Sequence, residues 1–235
     1  MVGLVLLLTP APAQATTCPT PPWGSPTLGA ESAERRVAFV RERLVSGRSA
    51  ASTWSWTWGI TNGALAAGQL AALPFTSDRG ERVLLAAGAA ISTAAVAQIT
   101  LLPIVPGRPE PASPPPHGDA TSLCSALASD ERTLERAARN TGLVSGAMAQ
   151  IANLAVNAGF GVAVGLHHHS AWAGALTFGI GWGIGEAQIL TVPSGIARDF
   201  ARYREGHLEP AATRGPVLRL VRVAGGGALV LALAY

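Results

Sequence analysis

The chain has 235 residues, of which 13% are charged and 49% hydrophobic, whereas an average soluble domain carries about 25% charged residues. This shortage of charge points to a membrane or to an unusually large buried surface. The 17 basic residues are all Arg, they are interspersed with 14 acids, and the formal net charge is only +3. We therefore do not expect the chain to bind nucleic acid.

The N-terminus resembles a secretory signal peptide. An apolar run from Val2 to Leu8 is followed by prolines, and Ala13 and Ala15 fit the small-x-small rule for cleavage. The run is too short to span a bilayer. We predict a signal peptide over residues 1–15 and export to the cell membrane.

The two cysteines, Cys18 and Cys124, support export. One precedes the charged segment of the first half of the chain, and the other lies at the start of the second half. In an exported protein the simplest expectation is one disulfide that ties the halves together. Two unrelated thiols are the alternative.

The apolar part of the sequence is duplicated. Residues 60–68 align with residues 151–159, and residues 97–103 align with residues 187–193, where both copies contain the motif Ala-Gln-Ile and end in Pro. Each copy holds two Ala/Gly-rich apolar stretches joined by a short turn and follows an Arg/Glu-rich segment. We predict a first repeat over residues 16–105, a Pro-rich linker over 106–120, a second repeat over 121–193 and a charged tail with an apolar C-terminus over 194–235.

Within this frame, the pattern predicts the following elements in chain order. A surface helix over residues 31–48 precedes apolar stretches over 54–74 and 83–105. A second charged helix over residues 130–140, with Ser129 placed to cap it, precedes apolar stretches over 142–166 and 171–192. The stretches have the length of membrane-spanning helices, and glycines four residues apart suit close helix packing in lipid.

The predicted fold class is therefore an all-α, polytopic helical membrane protein. It has two tandem homologous halves, each with a charged helix and a transmembrane helical hairpin. The membrane orientation stays open, because the long Arg-rich segments favour the cytoplasm by the positive-inside rule, whereas the signal peptide and the cysteines favour the outside.

An outer-membrane β-barrel and a soluble bundle are the alternatives. Large and small residues alternate from Leu154 to Leu166 and from Trp172 to Ile184, and the chain ends in an alternation that finishes on Tyr235. Strands of an outer-membrane barrel show this pattern. The Ala-rich stretch over residues 83–102 argues against the barrel, because it alternates poorly and has high helix propensity.

Polar residues inside the apolar stretches are the candidates for function. Glu186 is an ionisable group added to one copy only, since its counterpart is near Val96, and such a group is a functional hypothesis by default. The paired amides are expected to join helices or, alternatively, to line a solute path with Glu186. They are Asn62, Asn153, Gln98 and Gln188.

Two further clusters have simple interpretations. His167, His168 and His169 cannot all face one metal ion from a tight turn, so we expect a solvated turn and no metal site. Trp54, Trp56 and Trp58 fit an aromatic belt at a membrane interface.

The sequence contains no nucleophile elbow, phosphate-binding loop or cofactor fingerprint. We therefore expect a non-catalytic membrane protein without a cofactor, with a structural or interaction role. Its first expected partner is the lipid bilayer. Other membrane proteins or a second copy of the chain are further expected partners. The alternative function is a small-solute or ion transporter that uses the intramembrane Glu186.

Overall fold

The computed structural model describes residues 16–104 and 120–209 and the backbone of two short strands near the C-terminus. The predicted signal peptide, nearly all of the Pro-rich linker and half of the apolar C-terminus lie outside the described residues. The described elements are α1 (Pro26–Gly29), α2 (Ala33–Ala72), a 3₁₀ turn (Leu73–Phe75), α3 (Arg79–Leu101), α4 (Ala120–Ser145), α5 (Ala147–His167), α6 (Ala171–Leu190), α7 (Gly195–Arg204), β1 (Val217–Val221) and β2 (Val230–Ala234).

The helical content confirms the all-α prediction, and the β-barrel alternative is wrong. The alternating stretches that suggested strands form α5 and α6. Their small residues line the contact between the helices, whereas large ones such as Leu154 and Leu166 face outward. Only the alternation at the C-terminus is in a strand, β2, which pairs antiparallel with β1.

The boundaries of two elements differ from the prediction. The charged helix and the first apolar stretch form one continuous helix, α2, of 40 residues, which is about 60 Å long at 1.5 Å per residue. Helix α4 starts at Ala120, so Ser129 lies inside it and caps nothing. In the second half, Gly146 interrupts the helix, and a Cβ there would collide with the carbonyl oxygen of Gly142.

The charged helices pack into one unit, which we call the charged bundle: residues 16–50, α4 and α7. Its core joins the amphipathic faces of the three helices and contains Leu28, Phe39, Val40, Leu44, Leu134, Ala137, Ile196 and Tyr203. Burying each large apolar side chain of this core stabilises the fold by roughly 1.5–3 kcal/mol before the loss of conformational entropy is counted. Cys18 of the first half and Cys124 of the second half lie here at disulfide distance, with their Cα atoms 5.3 Å apart.

The two halves run in the same direction. Arg36 near the start of α2 meets Glu131 near the middle of α4, and Ala51 shares a cluster with Val144 further along both helices. The apolar hairpins follow: the first is residues 51–72 with α3, and the second is α5 with α6. A cluster at their base marks the boundary with the charged bundle, and we call it the boundary cluster: Ala51, Trp54, Ile104, Val144 and Val192.

The hairpins keep large apolar side chains on their outer surfaces. Ile60, Val83, Ile151 and Trp172, for example, are between 59% and 74% exposed. By length and composition, two helical ranges suffice to cross a membrane: Arg79–Leu101, and Ala120–His167 with its interruption at Gly146.

Candidate functional site

One pair of the predicted amides links the two halves. Asn62 of α2 donates through Nδ2 to Oε1 of Gln188 in α6 over 3.2 Å, and its side chain is buried. The same nitrogen also reaches the carbonyl oxygen of Trp58 over 2.9 Å. The contact is a hydrogen bond between helices of different halves, just above the boundary cluster.

Two of the three clustered tryptophans reinforce this link. The indole N–H of Trp54 donates to the carbonyl oxygen of Gln188 over 3.1 Å, and that of Trp58 donates to Oγ1 of Thr191, also over 3.1 Å. Trp54 is buried in the boundary cluster, whereas Trp56 is 70% exposed. Two of the rings therefore connect the halves. Of the three, only Trp56 has the exposure that the predicted aromatic belt requires.

The equivalent amide of the second half makes different contacts. Asn153 of α5 donates to the carbonyl oxygen of Trp182 over 3.2 Å, within its own hairpin. Its Oδ1 accepts from Nδ2 of Asn157 over 2.8 Å. Gly185 and Gly181 of α6 leave room for these two side chains, since a Cβ on either glycine would overlap them.

The duplication therefore does not produce a symmetric pair of links. By symmetry, Asn153 should bond to Gln98 as Asn62 bonds to Gln188. Gln98 is instead exposed on α3, and Asn153 is turned toward α6.

Glu186 has a partner that the sequence analysis did not single out. With the amide of Gln150 oriented so that its nitrogen faces the acid, Nε2 donates to both carboxylate oxygens of Glu186. Glu186 is partly buried and lies four residues before the end of α6, about 6 Å along the helix. It therefore sits near the boundary end of the hairpin rather than at its middle.

The first hairpin has smaller, apolar residues at the place equivalent to the Gln150–Glu186 contact. Gln150 and Glu186 align with Gly59 and Val96 of the first repeat, and these smaller residues line an open groove of about 510 Å³. Ser52, Ser55 and Thr100 also line it. The five predicted residues consequently do not form one site. The structure brings Asn62 and Gln188 together. It leaves Glu186, Asn153 and Gln98 apart from them.

The most buried polar cluster of the described residues was not predicted. In the charged bundle, Arg36 of α2 donates to Oε1 of Glu131 in α4 over 2.5 Å, and the hydroxyl of Tyr203 in α7 donates to the same oxygen. Arg36 also donates to the carbonyl oxygens of Cys18 and Pro19 over 3.2 and 3.3 Å. Each helix contributes one side chain, so the cluster fixes all three against one another.

The surroundings of this cluster shift two pKa values. Burial, together with the hydrogen bond to Glu131, raises the pKa of the Tyr203 hydroxyl well above its usual range. Burial alone would lower the pKa of Arg36, but its hydrogen bonds to Tyr203 and Glu131 outweigh this and raise it. Tyr203 therefore stays a neutral phenol and Arg36 a cation across the whole physiological pH range.

A contact between a histidine and an aspartate joins the tips of the two hairpins. Nε2 of His167, at the end of α5, lies 3.2 Å from Oδ1 of Asp78 in the turn before α3. Asp78 also caps α3 by accepting from the backbone N–H of Glu81 over 2.8 Å, and this bond and the charge of His167 lower the pKa of Asp78. Among the described residues, no group of three His, Cys, Asp or Glu side chains is arranged to hold a metal ion.

Comparison with known proteins adds no further identification. No family model, curated protein or solved structure matches this chain.

Proposed function

We propose that the chain is an exported multi-pass membrane protein with a non-catalytic, structural or interaction role. The observation that carries this proposal is that polar residues within the apolar helices bond to neighbouring helices. Asn62, Gln188 and Asn153 are engaged in hydrogen bonds between helices. Such contacts hold helices together in lipid.

The outer surfaces of the hairpins support a membrane setting. Their exposed large apolar side chains would be costly in water over so wide an area, and lipid contact removes that cost. The bilayer is the first partner in this proposal. Another membrane protein or a second copy of the chain is the second.

A small-solute or ion transporter is the second candidate function. The observation in its favour is the carboxylate of Glu186, which is half-buried between apolar helices with Gln150 as its described partner. A transporter needs the charge of Glu186, whereas a structural contact needs only a group of the same shape that forms hydrogen bonds.

The variant Glu186→Gln separates these two functions. We expect it to leave membrane insertion, folding and any host phenotype unchanged, because Gln keeps the amide contact with Gln150. The variant Gln98→Glu, which places a carboxylate on the exposed face of α3, is the control for a charge without a partner. Loss of a proton- or cation-dependent flux in folded Glu186→Gln protein, reconstituted in vesicles, would favour the transporter.

The compartment is tested through the cysteines. If the charged bundle faces an oxidising compartment, Cys18 and Cys124 are bridged in protein isolated from the host. Thiol labelling under denaturing conditions should then detect no free thiol before reduction and two after it. Two free thiols before reduction would contradict export and favour the cytoplasmic orientation that the arginines suggest.

A further inference from the structure

Helix α4 separates its positive and negative charges onto two faces. It contains three acids, Asp130, Glu131 and Glu135, and three arginines, Arg132, Arg136 and Arg139. The acids all turn inward and accept hydrogen bonds from side chains of the charged bundle, namely Arg41 (2.8 Å), Arg36 and Trp23 (3.0 Å). Asp130 and Glu131 are thereby paired with cations, and Glu135 is held by a neutral indole N–H.

The three arginines form a stripe on the opposite face. Their spacing of four and three residues places them on one side of the helix, and all three are exposed. No ion pair joins them to the part of the chain that the structure describes. We call this surface the α4 arginine stripe. It presents three positive charges, and the neighbouring acid Glu135 is half-buried and turned toward Trp23.

The stripe leads directly to the apolar hairpins. Leu143 lies on the same face, four residues beyond Arg139, and is 51% exposed. The next residue, Val144, belongs to the boundary cluster. Arg139 therefore lies about 8 Å below the boundary along the helix axis, within reach of lipid headgroups for a long, flexible side chain.

We propose that the α4 arginine stripe binds the phosphate groups of anionic lipids at the membrane surface. This inference rests on the proposed membrane function. A guanidinium group matches phosphate oxygens through two parallel N–H donors, and the stripe offers three such groups in a row. Its continuity with the lipid-facing surface through Leu143 favours a lipid headgroup over an acidic protein.

The test compares two double variants of the full chain that remove equal charge. Arg136→Gln with Arg139→Gln disrupts the stripe. Arg35→Gln with Arg204→Gln is the control, because both residues are exposed at the end of the charged bundle far from the boundary, where Arg35 pairs with Glu31 and Arg204 bonds to the backbone of Trp23.

Binding is measured in a neutral detergent by native mass spectrometry with dioctanoyl phosphatidylglycerol, dioctanoyl phosphatidylcholine and inorganic phosphate. Each arginine near an anionic lipid surface contributes a factor of about 5 in affinity. We therefore expect the stripe variant to bind phosphatidylglycerol about 25-fold more weakly, and the control variant to bind it about as well as the unmodified chain.

The remaining outcomes decide against the proposal in distinguishable ways. Equal losses in both variants would mean a general charge effect, and equal binding of phosphatidylcholine or of inorganic phosphate would mean that no anionic lipid is selected.

Flotation with phosphatidylcholine vesicles tests membrane insertion separately. A chain that floats but shows no dependence on the stripe overturns this inference alone, whereas a chain that does not float overturns the proposed function. Circular dichroism checks that each variant is folded.

Discussion

The carboxylate of Glu131 lies 2.5 Å from the guanidinium group of Arg36, and the two side chains are 5% and 0% exposed. The attraction between the two buried charges offsets the free energy lost by removing them from water only while both charges are present. Its value to the fold lies in fixing α2 against α4.

We expect Glu131→Gln to lower the free energy of unfolding by about 3–5 kcal/mol, because the charge of Arg36 stays buried without a counter-ion. Chemical denaturation in detergent, followed by circular dichroism, measures the loss. The control is Glu31→Gln, which breaks an exposed pair with Arg35 and should cost less than about 1 kcal/mol. Similar losses in the two variants would contradict the role given to the buried pair.

Stability should fall at alkaline pH because of Tyr203. Its pKa is raised in the folded state, so above the ordinary pKa of about 10 the unfolded chain loses the phenol proton while the folded chain keeps it. The contribution of Tyr203 is therefore complete below pH about 10 and is lost as the pH rises further. Thermal unfolding between pH 8 and about pH 11 should show this fall.

Two variants make the alkaline measurement specific to that residue. The chain has two tyrosines, Tyr203 and Tyr235, so absorbance at the phenolate band in Tyr235→Phe protein follows Tyr203 alone. Tyr203→Phe should remove part of the alkaline fall and cost about 1.5–3 kcal/mol at neutral pH, through loss of a hydrogen bond to a charged group. Titration of Tyr203 at its ordinary pKa would refute the prediction.

The link between the halves should appear as coupling between Asn62 and Gln188. We expect a double-mutant cycle of Asn62→Ala and Gln188→Ala to give a coupling free energy of about 0.6 kcal/mol, the usual size for hydrogen bonds between helices in a membrane. The matched control is the cycle of Asn153→Ala and Gln98→Ala, whose members align with the first pair but do not touch. Equal coupling in both cycles would show that the halves are symmetric in solution.

Close packing in the second hairpin should make Gly174 intolerant of substitution. A Cβ there would lie 2.6 Å from the carbonyl oxygen of Gly161 and 3.0 Å from Cα of Gly165, and backbone atoms cannot move aside as a flexible side chain can. We expect Gly174→Ala to destabilise the hairpin by about 1–3 kcal/mol. Gly183→Ala meets nothing within 4 Å and should instead stabilise by up to about 1 kcal/mol through helix propensity. Thermal unfolding of both variants tests the contrast.

The repeated apolar pattern was sufficient to predict the helical hairpins, because that pattern runs along the chain. Helix α7 was missed, although its spacing of Ile196, Phe200 and Tyr203 is that of a buried helical face. The many charges of that segment hide the pattern, so the sequence predicts a charged tail there.

The buried cluster of Arg36, Glu131 and Tyr203 could not be assembled from the sequence, since its members come from three elements and pair only in the folded bundle. A partial signal existed. Arg36 and Glu131 each occupy a position in the apolar stripe of their helix, between Ala33 and Val40 in α2 and between Leu127 and Leu134 in α4. A charge at such a position requires a partner. The asymmetry between Asn62 and Asn153 left one signal, because Asn157, which bonds to Asn153, aligns with Ala66 of the first copy.

The continuity of α2 and the interruption at Gly146 give the two halves unequal mechanics. An unbroken helix transmits a tilt along its whole length, so any rotation of the charged bundle carries the first hairpin with it as a single rod. The second hairpin meets the bundle at a joint, where Gly146 leaves the helical conformation. A duplicated chain thus joins its first hairpin to the charged bundle through an unbroken helix and its second hairpin through a glycine at which the helix is interrupted.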